Sequence, residues 1–137
     1  MIKKYFAQII ATDKEGLQMI SACSTGAKVK VANIKYLASN KVFLLSLERK
    51  RIETNKNFEK ITSICRFDFV DNVKSKNIDQ KNEKLVLELM AIDCMKNNNN
   101  YEINLIFQNN SHIILTTETI EARLEDQNEI KKNEDIR

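Results

Sequence analysis

The chain has 137 residues, 30% charged and 42% hydrophobic, with two glycines, no proline and no tryptophan. Those proportions suit one ordinary folded domain and exclude collagen-like, low-complexity and disulfide-scaffold classes. Twenty-two Lys and Arg against nineteen Asp and Glu leave a formal charge of +3, a weaker excess than nucleic-acid-binding domains usually carry. Lys, Ile and Asn are used heavily together, as the codons of an AT-rich genome favour, so the lysine content does not by itself require a polyanionic partner.

The three cysteines, Cys23, Cys65 and Cys94, are widely spaced and form no C-x-x-C pair. With His112 as the single histidine, soft ligands are too few for a closed zinc site. The expectation is reduced thiols in a reducing compartment, hence a cytoplasmic protein with no metal or cofactor. Residues 1–11 superficially resemble a signal peptide, but Gln8 interrupts the apolar run and no small-residue cleavage site follows. No stretch approaches the roughly 18 apolar residues of a membrane helix, so no membrane association is expected.

In chain order, Lys4 to Ala11 is rich in aromatic and β-branched residues and predicts a strand. Thr12 and Glu15 have capping-box spacing and open a short amphipathic helix over 14–24. Leu17, Ile20 and Ser24 share its inner face, and Gly26 is placed to end it in the left-handed conformation. Lys28 to Val31 alternates as a strand, Ala38 to Lys41 is a turn, and Val42 to Leu47 is apolar enough for a central strand. The polar stretch from Glu48 to Lys60 predicts a loop. Ile64 to Val70 alternates, with Cys65, Phe67 and Phe69 facing inward. Leu85 to Ile92 is a further strand, and Asn97 to Asn100 a loop tip. Ile103, Leu105 and Phe107 then pair, through a primed turn at Asn109-Asn110, with Ile113 and Leu115. Ile120 and Leu124, four apart, predict a closing helix. Residues 1–126 form the expected single domain, and 127–137 a polar, disordered tail.

This order predicts an α+β fold: a mainly antiparallel sheet of about seven strands with an early helix and a C-terminal helix. A curled roll of pleckstrin-homology-like type and an open sheet with both helices on one face both satisfy it.

Enzyme signatures are absent: there is no Walker loop, G-x-S-x-G, H-E-x-x-H or dinucleotide fingerprint. No catalytic residue is assigned. Glu118 and Glu121 could hold Mg²⁺ or act as acid and base, but acids near a helix start also simply oppose its dipole. His112 near a turn lacks a nucleophile. Cys65 beside Arg66 shares the apolar face of Phe67 and Phe69, so burial outweighs activation as a thiolate. The basic residues carry more. Between Lys41 and Lys84, eleven Lys and Arg stand against seven Asp and Glu. Arg49, Lys50, Arg51, Lys74, Lys76 and, from the last element, Arg123 are therefore the candidate binding residues. Phe43, Phe67, Phe69 and Phe107 all fall on the inward face, which argues against a base-stacking platform.

Several segments resemble, in order, a small bacterial family catalogued as domain of unknown function 2948. Ile120-Glu121-Ala122-Arg123-Leu124-Glu125-Asp126 is close to its I-E-A-R-L-x-D stretch, and Met19-Ile20-Ser21-Ala22 to its V-I-S-A segment. Ile34-Lys35-Tyr36-Leu37 is similar to its next strand, Lys74-Ser75-Lys76-Asn77-Ile78-Asp79 to its R-S-x-G-I-D stretch, and Leu87 to Ile92 to its L-x-L-L-A-I strand. The chain departs from it at Cys23, where the family tends to have histidine, at Asn77, where it has glycine, and near Arg49 to Glu53, where it is aromatic-rich. The resemblance implies one domain and brings no activity with it.

Three functional classes follow: a noncatalytic interaction or adaptor module with an unidentified protein partner; nucleic-acid or phosphorylated-ligand binding through the basic loops; and a carboxylate-metal enzyme. The first best fits the lack of polar clusters in the expected core. An edge strand within Lys28 to Lys35 would also allow a homodimer.

Overall fold

The computed structural model describes residues 8–52 and 58–127, the side chains of residues 51, 52, 58 and 59 excepted. Among them the chain runs β1 (Gln8–Ala11), α1 (Lys14–Ser24), β2 (Lys28–Lys30), β3 (Ile34–Leu37), β4 (Val42–Ile52), β5 (Phe58–Phe67), β6 (Val70–Lys76), β7 (Val86–Asn97), β8 (Asn100–Phe107), β9 (Ser111–Thr117) and β10 (Ala122–Asp126). These strands form one antiparallel sheet in the order β1-β10-β5-β4-β2-β7-β8-β9-β6, with β3 also on β4. The bridge is β2, where Lys28 stands opposite both Glu48 of β4 and Glu88 of β7.

Side chains alternate across each strand, and the apolar set of both halves faces one core. Phe43, Leu45, Cys65, Phe67 and Leu124 come from the first half; Leu89, Ile92, Leu105, Phe107 and Leu115 come from the second. The Phe43 and Phe67 rings, on paired positions of β4 and β5, lie 6.3 Å apart and tilted at 49°.

The helix over 14–24 is present and buries Leu17, Ile20 and Ser24. Its cap is Asp13 rather than Thr12: the Asp13 carboxylate accepts from the Gly16 N–H at 2.8 Å. Glycine is required at position 16, because a Cβ there would lie 2.8 Å from Ala11 Cα. Gly26 has φ 85°, the left-handed geometry expected after the helix. Three asparagines occupy the same region in the hairpin turns: Asn98 between β7 and β8, and Asn109 with Asn110 between β8 and β9.

Three expectations are corrected. The C-terminal helix is a strand: β10 buries Ala122, Leu124 and Asp126 and exposes Arg123 and Glu125. A spacing of four between Ile120 and Leu124 is a multiple of the strand period as well as close to the helical one, and pairing on both sides with β1 and β5 decides between them. Among the described residues the sheet has ten strands instead of about seven, and it is not closed, so neither a plugged roll nor a two-helix layer describes it. The stretch Glu48 to Lys60 is largely strand: β4 and β5 remain paired from Phe43–Phe67 out to Ile52–Phe58. Of the expected tail, Gln127 is half-buried and donates its N–H to the Thr62 carbonyl at 2.8 Å; residues 128–137 lie outside the described residues. Of the segment expected to supply an edge, β2 is interior, and among the described residues β3 pairs on one side only, with β4.

The turn geometry is testable at Asn98, which is exposed with φ 58°. Replacing it with a β-branched residue forces that residue into the left-handed region, at about 1–2 kcal/mol. Asn98→Val should lower the unfolding free energy by that amount in urea, and Asn98→Gly should not.

Candidate functional site

The six basic candidates do not form one patch. Arg49 points into the core, where it is 8% exposed. Its Nη2 donates to both carboxylate oxygens of Asp126 at 2.9 Å, and its Nε donates to Ser63 Oγ at 3.0 Å and to Asp126 Oδ1 at 3.2 Å. Ser63 Oγ in turn donates to Asp126 Oδ1 at 2.5 Å. The register explains the meeting: Ser63 is directly opposite both Leu47 on β4 and Asp126 on β10, and Arg49 lies two residues beyond Leu47 on the same face. The charge that composition assigns to a solvated loop is thus neutralised inside the protein. Lys50 faces outward opposite Lys60, and the Arg51 side chain lies outside the described residues.

Arg123 is exposed on β10, cross-strand from Arg66 on β5. Arg66 is engaged by Asp68, with Nη2 at 3.0 Å from Oδ1. Both arginines line a shallow hollow of about 420 Å³ with Asn40, Phe69 and Glu121. Phe69, expected inward, is 42% exposed with φ 60°. Two backbone bonds hold it there: its carbonyl accepts from Glu118 N at 3.1 Å, and the next N–H, of Val70, donates to the Lys41 carbonyl at 2.8 Å.

The carboxylate pair is engaged or scattered. Glu118 accepts from Lys41 Nζ at 2.9 Å, and Asp71 lies 3.0 Å from the same nitrogen. These hydrogen bonds hold the Lys41 ammonium well above its usual range. Among the described residues, no group of three His, Cys, Asp or Glu side chains is placed to hold a metal. His112 has its ring nitrogens beside the side-chain oxygens of Asn104 and Asn110, at 3.3 and 3.2 Å. Cys65 is fully buried, and burial pushes its thiol up to about 12, the opposite of activation. Cys94 is also buried and shifted up for the same reason, while Cys23 is exposed.

Lys74 and Lys76 stand at a different feature. β6 is the last strand of the sheet order, and β3 is an edge on β4. Where these two edges approach, the folded sheet is unsealed and leaves a groove of about 360 Å³. Val31, Ile34 and Tyr36 line one wall; Val73 and Ser75 of β6, then Ile78 and Gln80, line the other. Phe43 and Ile113, both buried, form the floor. At one end Tyr36 Oη donates across the groove to the Val70 carbonyl at 2.8 Å; within the β6 wall, Gln80 Nε2 donates to Ser75 Oγ. Lys74 and Lys76 alternate with Val73 and Ser75 and are exposed, as Lys35 is between Ile34 and Tyr36. Sequence reasoning found the lysines and missed the apolar walls. Their only signal was a pair of isolated apolar residues, Val73 and Ile78, in an otherwise polar run. Asn77, between β6 and Ile78, has φ 59°, a conformation glycine adopts at no cost.

One antiparallel sheet folded around one core is the class that the geometry defines. The chain belongs to the family described as protein of unknown function (DUF2948), whose model matches residues 7–135. No curated protein and no solved structure matches it. No helix among the described residues is long and apolar enough to cross a membrane.

Two measurements test these assignments. Asp126→Ala strands the buried Arg49 guanidinium and should cost about 3–5 kcal/mol in denaturant unfolding, while adding Arg49→Met to that variant should recover much of the loss. For Cys65, the unfolded thiol ionises near 9.0 and the native one near 12. Between those values the unfolded state binds fewer protons, so stability falls as pH rises, by up to about 1.4 kcal/mol per pH unit. Cys65→Ala should remove that component, seen as a shallower alkaline decline in unfolding free energy.

Proposed function

We propose that this chain is a noncatalytic protein-interaction module acting in the cytoplasm, and that its contact surface is the groove between β3 and β6. One observation carries the reading: Val31, Ile34, Tyr36, Val73 and Ile78 are half-buried apolar side chains grouped along a seam that no strand among the described residues closes. An apolar trough beside a strand edge offers a partner both side-chain burial and main-chain hydrogen bonds. The engagement of Glu118 by Lys41 and of His112 by two asparagines supports a noncatalytic role. Three cysteines outside any disulfide support a reducing compartment.

The test compares affinity capture by the full-length chain and by Val73→Asp from nuclease-treated extract. The wild type should retain a protein partner stoichiometrically, and the variant about tenfold less, which corresponds to about 1.4 kcal/mol, with circular dichroism unchanged. Capture insensitive to Val73→Asp removes the groove from the interface, and capture that vanishes with nuclease transfers the function to nucleic acid.

A further inference from the structure

We infer, resting on the groove as the contact surface, that its occupant is a short extended segment of a partner protein in which acidic and apolar residues alternate, added as a strand along β6. β6 pairs with β9 on one side and ends the sheet order on the other. Among the described residues no strand pairs with its second row of backbone donors and acceptors, which faces the groove as a template for strand addition. The Tyr36–Val70 hydrogen bond crosses the groove at one end, so the segment is short, matching the few β6 residues that follow Val70.

The period of two sets its chemistry. A strand lying beside β6 turns every second side chain inward, over Phe43 and Ile113 and between Ile34, Tyr36 and Val73. Those positions call for apolar residues. The intervening side chains turn outward, onto the face where Lys74 and Lys76 stand on β6 and Lys35 stands on β3. None of these three lysines has an acidic partner among the described residues, and the one acid on β6, Asp71, is taken by Lys41. The outward positions call for Asp or Glu. The same lysines argue against a second copy of this chain: pairing β6 with β6 brings like charges together, the usual guard against edge-to-edge association.

The experiment selects random peptides displayed on phage against the immobilised full-length chain, in parallel with Lys35→Glu/Lys74→Glu/Lys76→Glu and with Ile78→Asp. All three lysines are exposed, so the reversal leaves the fold intact. Ile78 lies in the connection after β6, and Val73→Asp serves as a second groove variant should Ile78→Asp unfold. The wild type should enrich peptides alternating Asp or Glu with Val, Ile, Leu or Phe. A synthesised winner should lose about tenfold or more in affinity on lysine reversal, weaken with added salt, and slow hydrogen exchange of β6 amides when bound. Peptides that need the groove residues but ignore lysine reversal overturn the acidic preference and leave the groove standing. Peptides indifferent to both variant sets, or no enrichment at all, overturn the groove as well. Concentration-dependent dimers abolished by Val73→Asp assign the seam to a second copy and overturn the acidic segment.

Discussion

A full positive charge sits on the core side of β4, and the arrangement of β10 answers it. Arg49, Ser63 and Asp126 meet only if β4, β5 and β10 lie side by side in their present register. A one-residue slip of β10 would turn Asp126 to solvent, leave Arg49 buried without a counter-charge, and expose Leu124 in the same movement. The ion pair adds little net stability over a well-packed apolar substitute; what it supplies is discrimination against the wrong alignment. Since β10 is the strand on which β1 pairs, the placement of the N-terminal strand rests on the same triad.

Legibility in the sequence followed how local the deciding physics was. The helix over 14–24 and the turns at Asn98 and Asn109-Asn110 are readable because their causes lie within a few residues: an inner face of Leu17 and Ile20, and side chains tolerant of positive φ, although the cap falls at Asp13, one residue after the Thr12 that the capping-box spacing indicates. The C-terminal strand was unreadable because Ile120 and Leu124 satisfy two periods, and the partners that choose between them, β1 and β5, are far away in sequence. The stretch after Glu48 read as a loop because Arg49 was counted as a solvated charge, and its counter-charge is 77 residues away. Phe69 was assigned inward on an alternation that ends with β5 at Phe67; two residues later its positive φ breaks the pattern. The same limit governs the site. Lys74 and Lys76 were visible as charge, whereas the groove is a juxtaposition of β3 with β6 that no window of sequence contains.

Lys41 shows how one corner of the open seam is held. Its carbonyl receives the Val70 N–H, and its ammonium lies between Asp71 and Glu118. Exposed ion pairs of this kind contribute little energy each; the backbone bond and the Tyr36 hydroxyl fix the distance between the edges. The seam is stitched at Val70 and unsealed farther along β6, so the groove has a defined end and a backbone edge ready in extended form. Little conformational adjustment is then left for a ligand to drive.

The placement of β10 between β1 and β5 has a consequence for how the chain acquires its shape. Gln8–Ala11 pairs with residues more than a hundred positions later in the chain, so that part of the sheet cannot assemble until β10 has left the ribosome. Until then β1 and the outer side of β5 lack their strand partner, and Arg49 lacks its carboxylate. Hairpins such as β7–β8 and β8–β9, closed by two or three residues, are free to form first, because short loops cost less entropy to close. Order of synthesis and order of assembly thus diverge at β1, which emerges before the other described strands and is completed among the last.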